Sequence, residues 1–130
     1  MAIIKPELMY TKTHEWVKEA EGGYLVGITD FAQSALGAIV FVDMPDAGAD
    51  IHRGDELLTL ESVKSVSPVY SPIDGVAVRY NMELDARPEL INEDAYEAWL
   101  VMLATDHADL SGLMDAGEYE AYCAEAEGVN

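Results

Sequence analysis

The sequence predicts a mainly β fold, a sandwich or flattened barrel of two antiparallel sheets, with a short internal helix and C-terminal helices. Three observations support this prediction. Many short apolar runs are separated by Gly, Pro and Asp turn signals, which is typical of β-sandwiches and barrels. One run near residue 30 is bounded by helix-capping residue types. Near the C-terminus the pattern changes to an apolar stripe at helical spacing.

Several segments are predicted to be strands because β-branched and aromatic residues are concentrated in them. In chain order they are 14–19, 24–28, 38–42, 56–61, 66–70, 76–80 and 99–103. The turn Glu21-Gly22-Gly23 joins the first two strands into a hairpin, and Asp74-Gly75 turns the chain before the strand at 76–80. Residues 44–54 are rich in Pro, Gly and Asp and predict a loop.

The internal helix is predicted over residues 31–36. Thr29 and Asp30 precede it and are residue types that cap helix N-termini. Gly37 follows it and is the residue type that most often ends a helix.

The C-terminal segment is predicted to be helical over about residues 108–127. Residues 108–114 fit one short helix, and Asp115 with Glu118 resembles a capping box that starts another. The apolar stripe of that second helix consists of Ala116, Tyr119, Cys123 and Ala126. A lone cysteine on such a stripe behaves as a small hydrophobic residue, so we expect Cys123 to be structural.

Composition limits the function classes. With 130 residues, half of them apolar, the chain fits a single domain over residues 1–130. The formal net charge of −18 argues against nucleic acid and anionic membranes as partners. No apolar stretch approaches the ~20 residues of a membrane span, and no signal or transit peptide is evident, so a cytoplasmic location is expected. The single cysteine excludes an intrachain disulfide and a thiolate zinc site, and no metal site is predicted.

Lys64 is the residue that the pattern singles out. It follows Glu61-Ser62-Val63 and lies between the predicted strands at 56–61 and 66–70. This position is the tip of a hairpin, where paired strands hold an amine away from the domain. A modifying enzyme needs such an accessible amine, and a swinging cofactor needs the same protruding position.

Four stretches of the sequence resemble the glycine cleavage system H-protein family, within the lipoyl and biotinyl carrier superfamily. They are Thr13-His14-Glu15-Trp16-Val17; Gly27 to Asp30 with Gln33, Gly37, Phe41 and Pro45; Glu61 to Lys64 with Ser71-Pro72 and Gly75; and Pro88 to Asn92 with Asp94, Tyr96 and Trp99. The resemblance covers nearly the whole chain in order. It implies the hammerhead fold of lipoyl and biotinyl carriers.

By this resemblance, Lys64 would carry lipoic acid in amide linkage. Val63 and Ser65 flank it, whereas biotin carriers usually have methionine on both sides, so lipoate is favoured. A lipoate ligase or lipoyltransferase would attach the group, with Glu61, Ser62 and Val63 as its recognition residues. The family's partners are glycine decarboxylase, aminomethyltransferase and dihydrolipoamide dehydrogenase. The chain would be a non-catalytic carrier, in agreement with the absence of a Gly-rich phosphate loop and a nucleophile elbow from the sequence.

The resemblance also implies a cleft for the loaded arm, formed by Thr13, His14, Glu15, Phe31 and Pro68. A carboxylate at Glu15 could hold an aminomethyl ammonium by a charge-assisted hydrogen bond. Alternatively, Glu15 is a solvated strand residue. His14 likewise has an alternative interpretation, which is a structural role.

Three departures from the family pattern leave the loaded group open. Phe31 stands where the family often has His, and Pro68 stands where an acidic residue is common. The segment 94–99 is one residue shorter than in the family. These departures favour an alternative, an H-like lipoate-binding protein that serves another system, such as sulfur oxidation with a heterodisulfide-reductase-like complex.

Overall fold

Two antiparallel β-sheets form the body of the chain in the computed structural model, which describes residues 2–126. The strands are β1 (Met9–Tyr10), β2 (Glu15–Ala20), β3 (Gly23–Ile28), β4 (Ile39–Asp43), β5 (Asp50–Ile51), β6 (Glu56–Ser62), β7 (Val66–Tyr70), β8 (Gly75–Tyr80) and β9 (Val101–Ala104). The helices are α1 (Asp30–Leu36), α2 (Glu83–Ala86), α3 (Leu90–Glu93) and α4 (Ala116–Ala126). The predicted mainly β class with an internal helix is confirmed.

One sheet has six strands in the order β1-β2-β3-β9-β8-β5, and the other has three in the order β4-β6-β7. Neighbouring strands in both sheets are antiparallel. Apolar side chains from both sheets contribute to a single buried cluster. Its largest fully buried members are Leu57, Leu60, Ile73, Leu84, Ile91, Leu100, Leu103 and Val26. Each such side chain contributes roughly 1.5–3 kcal/mol of burial free energy, which holds the two sheets together.

A second cluster packs α4 against β1 and β2. Tyr119 of α4 stacks on Tyr10, with 4.5 Å between ring centroids, and Cys123 is buried beside them. Trp16 lies across Gly27 of β3, where a Cβ would come within 2.5 Å of the indole ring. The predicted structural role of Cys123 is therefore confirmed.

The predicted helix over residues 108–114 is wrong. Among residues 2–126, the C-terminal segment contains one helix, α4, and residue 127 of the predicted range lies outside those described. The Asp109 carboxylate accepts hydrogen bonds from the backbone and hydroxyl of Ser111, and Gly112 has a positive φ of 81°. Such local side-chain bonds compete with helix formation. The predicted capping box is present, because Asp115 and Glu118 exchange backbone and side-chain hydrogen bonds.

Several short elements differ from the sequence-based boundaries. The predicted strand at 14–19 begins at Glu15, because His14 has a φ of 70° that a strand does not allow. The loop predicted at 44–54 contains the two-residue strand β5. Strand β1 and the one-turn helices α2 and α3 were not predicted, since such short elements carry no periodic signal.

No helix among residues 2–126 is long and apolar enough to cross a bilayer.

Candidate functional site

Lys64 lies at the tip of the β6–β7 hairpin, as predicted. Strand β6 ends at Ser62 and β7 begins at Val66, so the tip consists of residues 63–65. The Ser62 hydroxyl accepts hydrogen bonds from the backbone N–H groups of Lys64 and Ser65, both at 3.1 Å. The backbone of Ser62 also donates to the carbonyl of Ser65 at 2.8 Å. Ser62 therefore orders the backbone of the tip while the Lys64 side chain remains exposed.

The tip rests on the turn that follows α1. The N–H of Val63 donates to the carbonyl of Ala38 at 3.1 Å. Gly37 ends α1 with φ 81° and ψ −159°, a conformation that side-chain-bearing residues avoid. A Cβ at Gly37 would come 3.1 Å from Cε of Lys64. The lysine stem thus lies directly over a glycine that leaves room for it.

Asn92, at the C-terminal end of α3, holds this turn in place. Its amide nitrogen donates to the carbonyl of Gly37 at 2.8 Å and to Oε1 of Gln33 at 2.9 Å. Its amide oxygen accepts from the N–H of Ile39 at 2.8 Å. One side chain therefore fixes the end of α1 and the start of β4, on which the tip rests.

The amine of Lys64 forms no ion pair with any acidic side chain among residues 2–126. An exposed lysine without an ion pair is available to an enzyme that modifies its amine.

Glu15, at the start of β2, is only 2% exposed. Its Oε1 accepts hydrogen bonds from the hydroxyls of Thr11 and Thr13, both at 2.5 Å, and its Oε2 accepts from the N–H of Tyr70 at 3.2 Å. Burial raises the pKa of Glu15, while these hydrogen bonds oppose the increase. The interpretation of Glu15 as a solvated strand residue is therefore wrong.

The carboxylate of Glu15 faces a cleft of about 270 Å³. The cleft is lined by residues from the β1–β2 connection, the turn between β5 and β6, the end of β7 with the residues after it, and the loop before α4, among them Thr13, Arg53, Tyr70 and Leu113. Strand β7 links this cleft to the lysine tip, because it starts beside the tip and ends at Tyr70. Four residue steps separate its ends, which is roughly 13 Å in a strand.

His14 points into different surroundings from those of Glu15. Its ring stacks on Phe31 with 4.7 Å between centroids, and its Nδ1 lies 2.8 Å from the Tyr119 hydroxyl. The same hydroxyl is 2.6 Å from Oγ1 of Thr29, the N-cap residue of α1. Burial lowers the pKa of His14, so the neutral ring is favoured. The contacts of His14 support its structural interpretation.

Apart from Pro68, the predicted site residues fall into three groups. Glu61, Ser62 and Val63 adjoin Lys64, Thr13 bonds to Glu15, and His14 stacks on Phe31. Pro68 lies opposite Thr59 on β7, an edge strand, where the missing N–H of proline is tolerated. It shares a strand face with Tyr70, which lines the cleft.

Sequence reasoning did not identify Tyr70, Thr11 or Asn92 as residues of these sites. Tyr70 acts through its backbone N–H, which no residue type reveals. Asn92 lies in a stretch that carries the family resemblance, and that was the signal available for it.

Comparison with known proteins agrees with the fold. The family model for glycine cleavage H-protein matches residues 8–126. The chain belongs to this family.

Family relatives match along most of their length. The chain is 48% identical over 124 residues to the glycine cleavage system H protein of Klebsiella pneumoniae, covering 93% of this chain and 96% of that protein. It is 46% identical over 122 residues to the probable glycine cleavage system H protein of Thermococcus gammatolerans, covering 92% and 91% respectively. The crystal structure of a glycine cleavage system H protein from Mycobacterium marinum superposes with a TM-score of 0.81 at 33% identity, covering 97% of this chain and all of that one.

The glycine cleavage H-protein family is one of lipoyl carriers. These comparisons do not support the alternative of a carrier that serves sulfur oxidation. Phe31 and Pro68, which motivated that alternative, are accommodated in the fold by a ring stack and an edge-strand position.

Proposed function

We propose that Lys64 carries a lipoyl group, and that the chain shuttles an aminomethyl group and reducing equivalents between the enzymes of glycine cleavage. The observation that carries this proposal is an exposed lysine at an ordered hairpin tip, which forms no ion pair with any described residue, in a chain of the glycine cleavage H-protein family. The partners would be glycine decarboxylase, aminomethyltransferase and dihydrolipoamide dehydrogenase. The chain itself would be a non-catalytic carrier subunit.

The surroundings of Lys64 fit an amide-linked group. The side chain extends from a tip whose backbone is ordered by Ser62, and the missing Cβ of Gly37 leaves its stem unobstructed. In the attachment step, Nζ of Lys64 would bond to the activated carboxyl carbon of lipoate. The bond from that carbon to its leaving group, AMP when ATP has activated the acid, breaks, and Nζ loses a proton to the modifying enzyme. The product has no charge at Nζ, as in lysine acetylation.

A bound lipoyl group supplies thiol–disulfide chemistry, which carries a transferred group and two electrons away from the backbone. The role of this chain's residues is then to anchor, orient and shield. Ser62 and the turn at Gly37 anchor the base of the arm. The cleft beside Glu15 offers a sheltered place for its far end.

Glu15 suits a cationic group such as an aminomethyl ammonium. An ionised carboxylate has about four acceptor positions, and three are used by Thr11, Thr13 and Tyr70. The remaining position and the low solvent exposure favour a charge-assisted hydrogen bond. His14, Phe31 and Pro68 would act indirectly, by shaping the elements on either side of this cleft.

The proposal is tested by loading the lipoylated protein. With glycine decarboxylase, pyridoxal phosphate and glycine, the intact mass should increase by one aminomethyl group and one hydrogen per lipoyl arm. The S–S bond opens as one sulfur takes the group and the other becomes a thiol, and the carboxyl group of glycine leaves as CO2. Omission of glycine should abolish the increase. A lipoylated protein that gains no such mass would contradict glycine cleavage as its system, while its assignment as a lipoyl carrier would stand.

A further inference from the structure

Apolar side chains are exposed on the sheet face next to Lys64. Val40, Phe41 and Val66 expose 55%, 44% and 63% of their surface, whereas Ile39 and Val42 of β4 and Val69 of β7 are buried. We call these three residues, together with Glu61 between them, the collar.

The strand register brings the collar together. Glu61 is directly opposite Phe41 on one side and Val66 on the other, so the three side chains form one row across the three-stranded sheet. Glu61 precedes Lys64 by three residues, which places the row immediately below the tip. The row lies on the outer face, because Val42 and Leu60 of the adjacent row are buried.

A β-bulge places Val40 beside this row. The register of β4 against β6 shifts between Ile39, which is opposite Ser62, and Phe41, which is opposite Glu61, so Val40 is the extra residue between these two pairs. In a regular strand the side chains alternate between the two faces, so one of two consecutive residues would be buried. Here Val40 and Phe41 are both exposed, and Ile39 before them is buried. Bulges of this kind redirect side chains and are frequent beside functional sites.

The collar has a defined charge pattern. Glu61 has no ion pair among the described residues. Asp43 lies on the same face of β4, two residues after Phe41. The whole chain carries a net charge of −18. A complementary surface would therefore be apolar opposite Val40, Phe41 and Val66, with a lysine or arginine opposite Glu61.

We propose that the collar is the docking surface for the enzyme that forms the amide bond at Lys64. This inference rests on the proposed attachment at Lys64. An enzyme that bonds to Nζ must bring its active site to the hairpin tip, and its body must then cover the sheet face directly below. Enzymes that react with the far end of the lipoyl arm can bind farther from the hairpin tip, because the arm spans the distance, and they need fewer contacts with this sheet face.

The test is the initial rate of lipoyl incorporation into unmodified protein by a lipoate ligase with lipoate and ATP, followed by intact mass. Phe41→Ser and Val66→Ser should each lower kcat/KM about tenfold, mainly by raising KM, since each removes an apolar contact. Glu61→Gln should lower it less and should weaken its dependence on salt. Ile3→Ser is the matched control, because Ile3 is 59% exposed but lies outside the three strands of the collar. Its rate should equal that of the wild type.

A second measurement separates docking from displacement of the tip. Acylation of Lys64 by a small anhydride, followed by peptide mass, should proceed equally in the wild type and all collar variants. Folding is checked by thermal unfolding, and Val66→Ser keeps the test decisive if Phe41→Ser fails to fold.

Each contrary result has a distinct meaning. If the wild type is lipoylated and the collar variants are lipoylated as fast as Ile3→Ser, the inference is overturned, while Lys64 remains the attachment point. Collar variants that change self-association, measured by sedimentation, while their lipoylation is unchanged would also overturn it, since the face would then join two copies. A wild type that gains no lipoyl group at all would contradict the proposed function and the inference with it.

Discussion

The lysine tip and the Glu15 cleft are both polar sites, but they are built in opposite ways. Lys64 is exposed, makes no ion pair with any described residue, and owes its position to neighbours within two residues and to the turn beneath it. Glu15 is almost fully buried, and its carboxylate accepts hydrogen bonds from Thr11, Thr13 and the backbone N–H of Tyr70. An attachment point needs access, whereas a resting place for a reactive group needs shelter from water.

This difference separates function from stability. We expect substitution of the exposed lysine to affect modification and leave folding nearly unchanged. Substitution of the buried groups that support the tip or line the cleft should lower stability. The following predictions test that division, from the largest expected effect on stability to the smallest.

Asn92→Ala should cost about 3 kcal/mol of unfolding free energy. The change removes three hydrogen bonds and leaves the carbonyl of Gly37 and the N–H of Ile39 without this partner. Chemical denaturation measures the loss. Gln33→Ala removes one of these three bonds and the hydrogen bond from Gln33 to Asp30, but it leaves the carbonyl of Gly37 and the N–H of Ile39 paired, so it should cost only about 1 kcal/mol. Equal losses in the two variants would show that Asn92 does not support the tip in the way described.

Glu15→Leu should cost about 2 kcal/mol, because it leaves the N–H of Tyr70 and the hydroxyls of Thr11 and Thr13 without their acceptor. Glu19→Leu, on the exposed part of the same strand, is the control and should stay within about 0.5 kcal/mol of the wild type. Denaturation with both variants measures the difference. A stabilised Glu15→Leu protein would mean that desolvation of the carboxylate outweighs its three hydrogen bonds.

Gly37→Ala should cost roughly 1–2 kcal/mol through backbone strain at its positive φ. Gly48→Ala is the matched control, since Gly48 also has a positive φ, of 108°, but a Cβ added there would have no described atom within 4 Å. If the Lys64 stem moves aside freely, thermal unfolding should give similar losses for the two variants. A much larger loss for Gly37→Ala would mean that the tip is rigid and that the exposed lysine is held in place.

The free energy of unfolding should decrease as the pH falls below neutrality, and protonation of His14 should account for part of this decrease. Burial lowers its pKa below the ordinary 6.5, so the unfolded chain binds a proton more readily than the folded one. Stability from neutral His14 is present above pH 6.5 and is lost as the pH falls toward its folded pKa. The loss should stay below about 1 kcal/mol, since the ring is partly exposed.

His14→Asn keeps a residue type that tolerates positive φ and removes this titration. Denaturation of the wild type and His14→Asn between pH 5 and 7 measures the slope of the unfolding free energy against pH. The two slopes should differ by about a few tenths of a kcal/mol per pH unit. Glu15 titrates with the opposite sign: its raised pKa stabilises the fold below pH 4.5 and that contribution is lost as the pH rises. An unchanged acid slope in His14→Asn would exclude His14 as its source.

The hairpin tip was predictable because its determinants are local. Two apolar strands, a short polar connection and a lysine between them are adjacent in the sequence, and the structure has the same arrangement. The cap at Thr29 and the stop at Gly37 were predictable for the same reason.

The cleft was not predictable in detail because its contacts span long sequence separations. Glu15 meets Tyr70 at a separation of 55 residues. The contact of His14 with Tyr119, which lies outside the cleft, spans 105 residues. The false helix at 108–114 has a local cause, since Asp109 and Ser111 bond to one another where a helix would need its backbone bonds. Composition favours a helix there, and only the side-chain geometry reveals the competition.

The central claim is that Lys64 is the lipoyl attachment point, and one measurement tests it directly. Unmodified wild type and Lys64→Arg are incubated with a lipoate ligase, lipoate and ATP, and their intact masses are compared. We expect the wild type to gain one lipoyl group and Lys64→Arg to gain none, with the melting temperatures of the two proteins nearly equal. Equal lipoyl incorporation into Lys64→Arg, or none into the wild type, would contradict the claim.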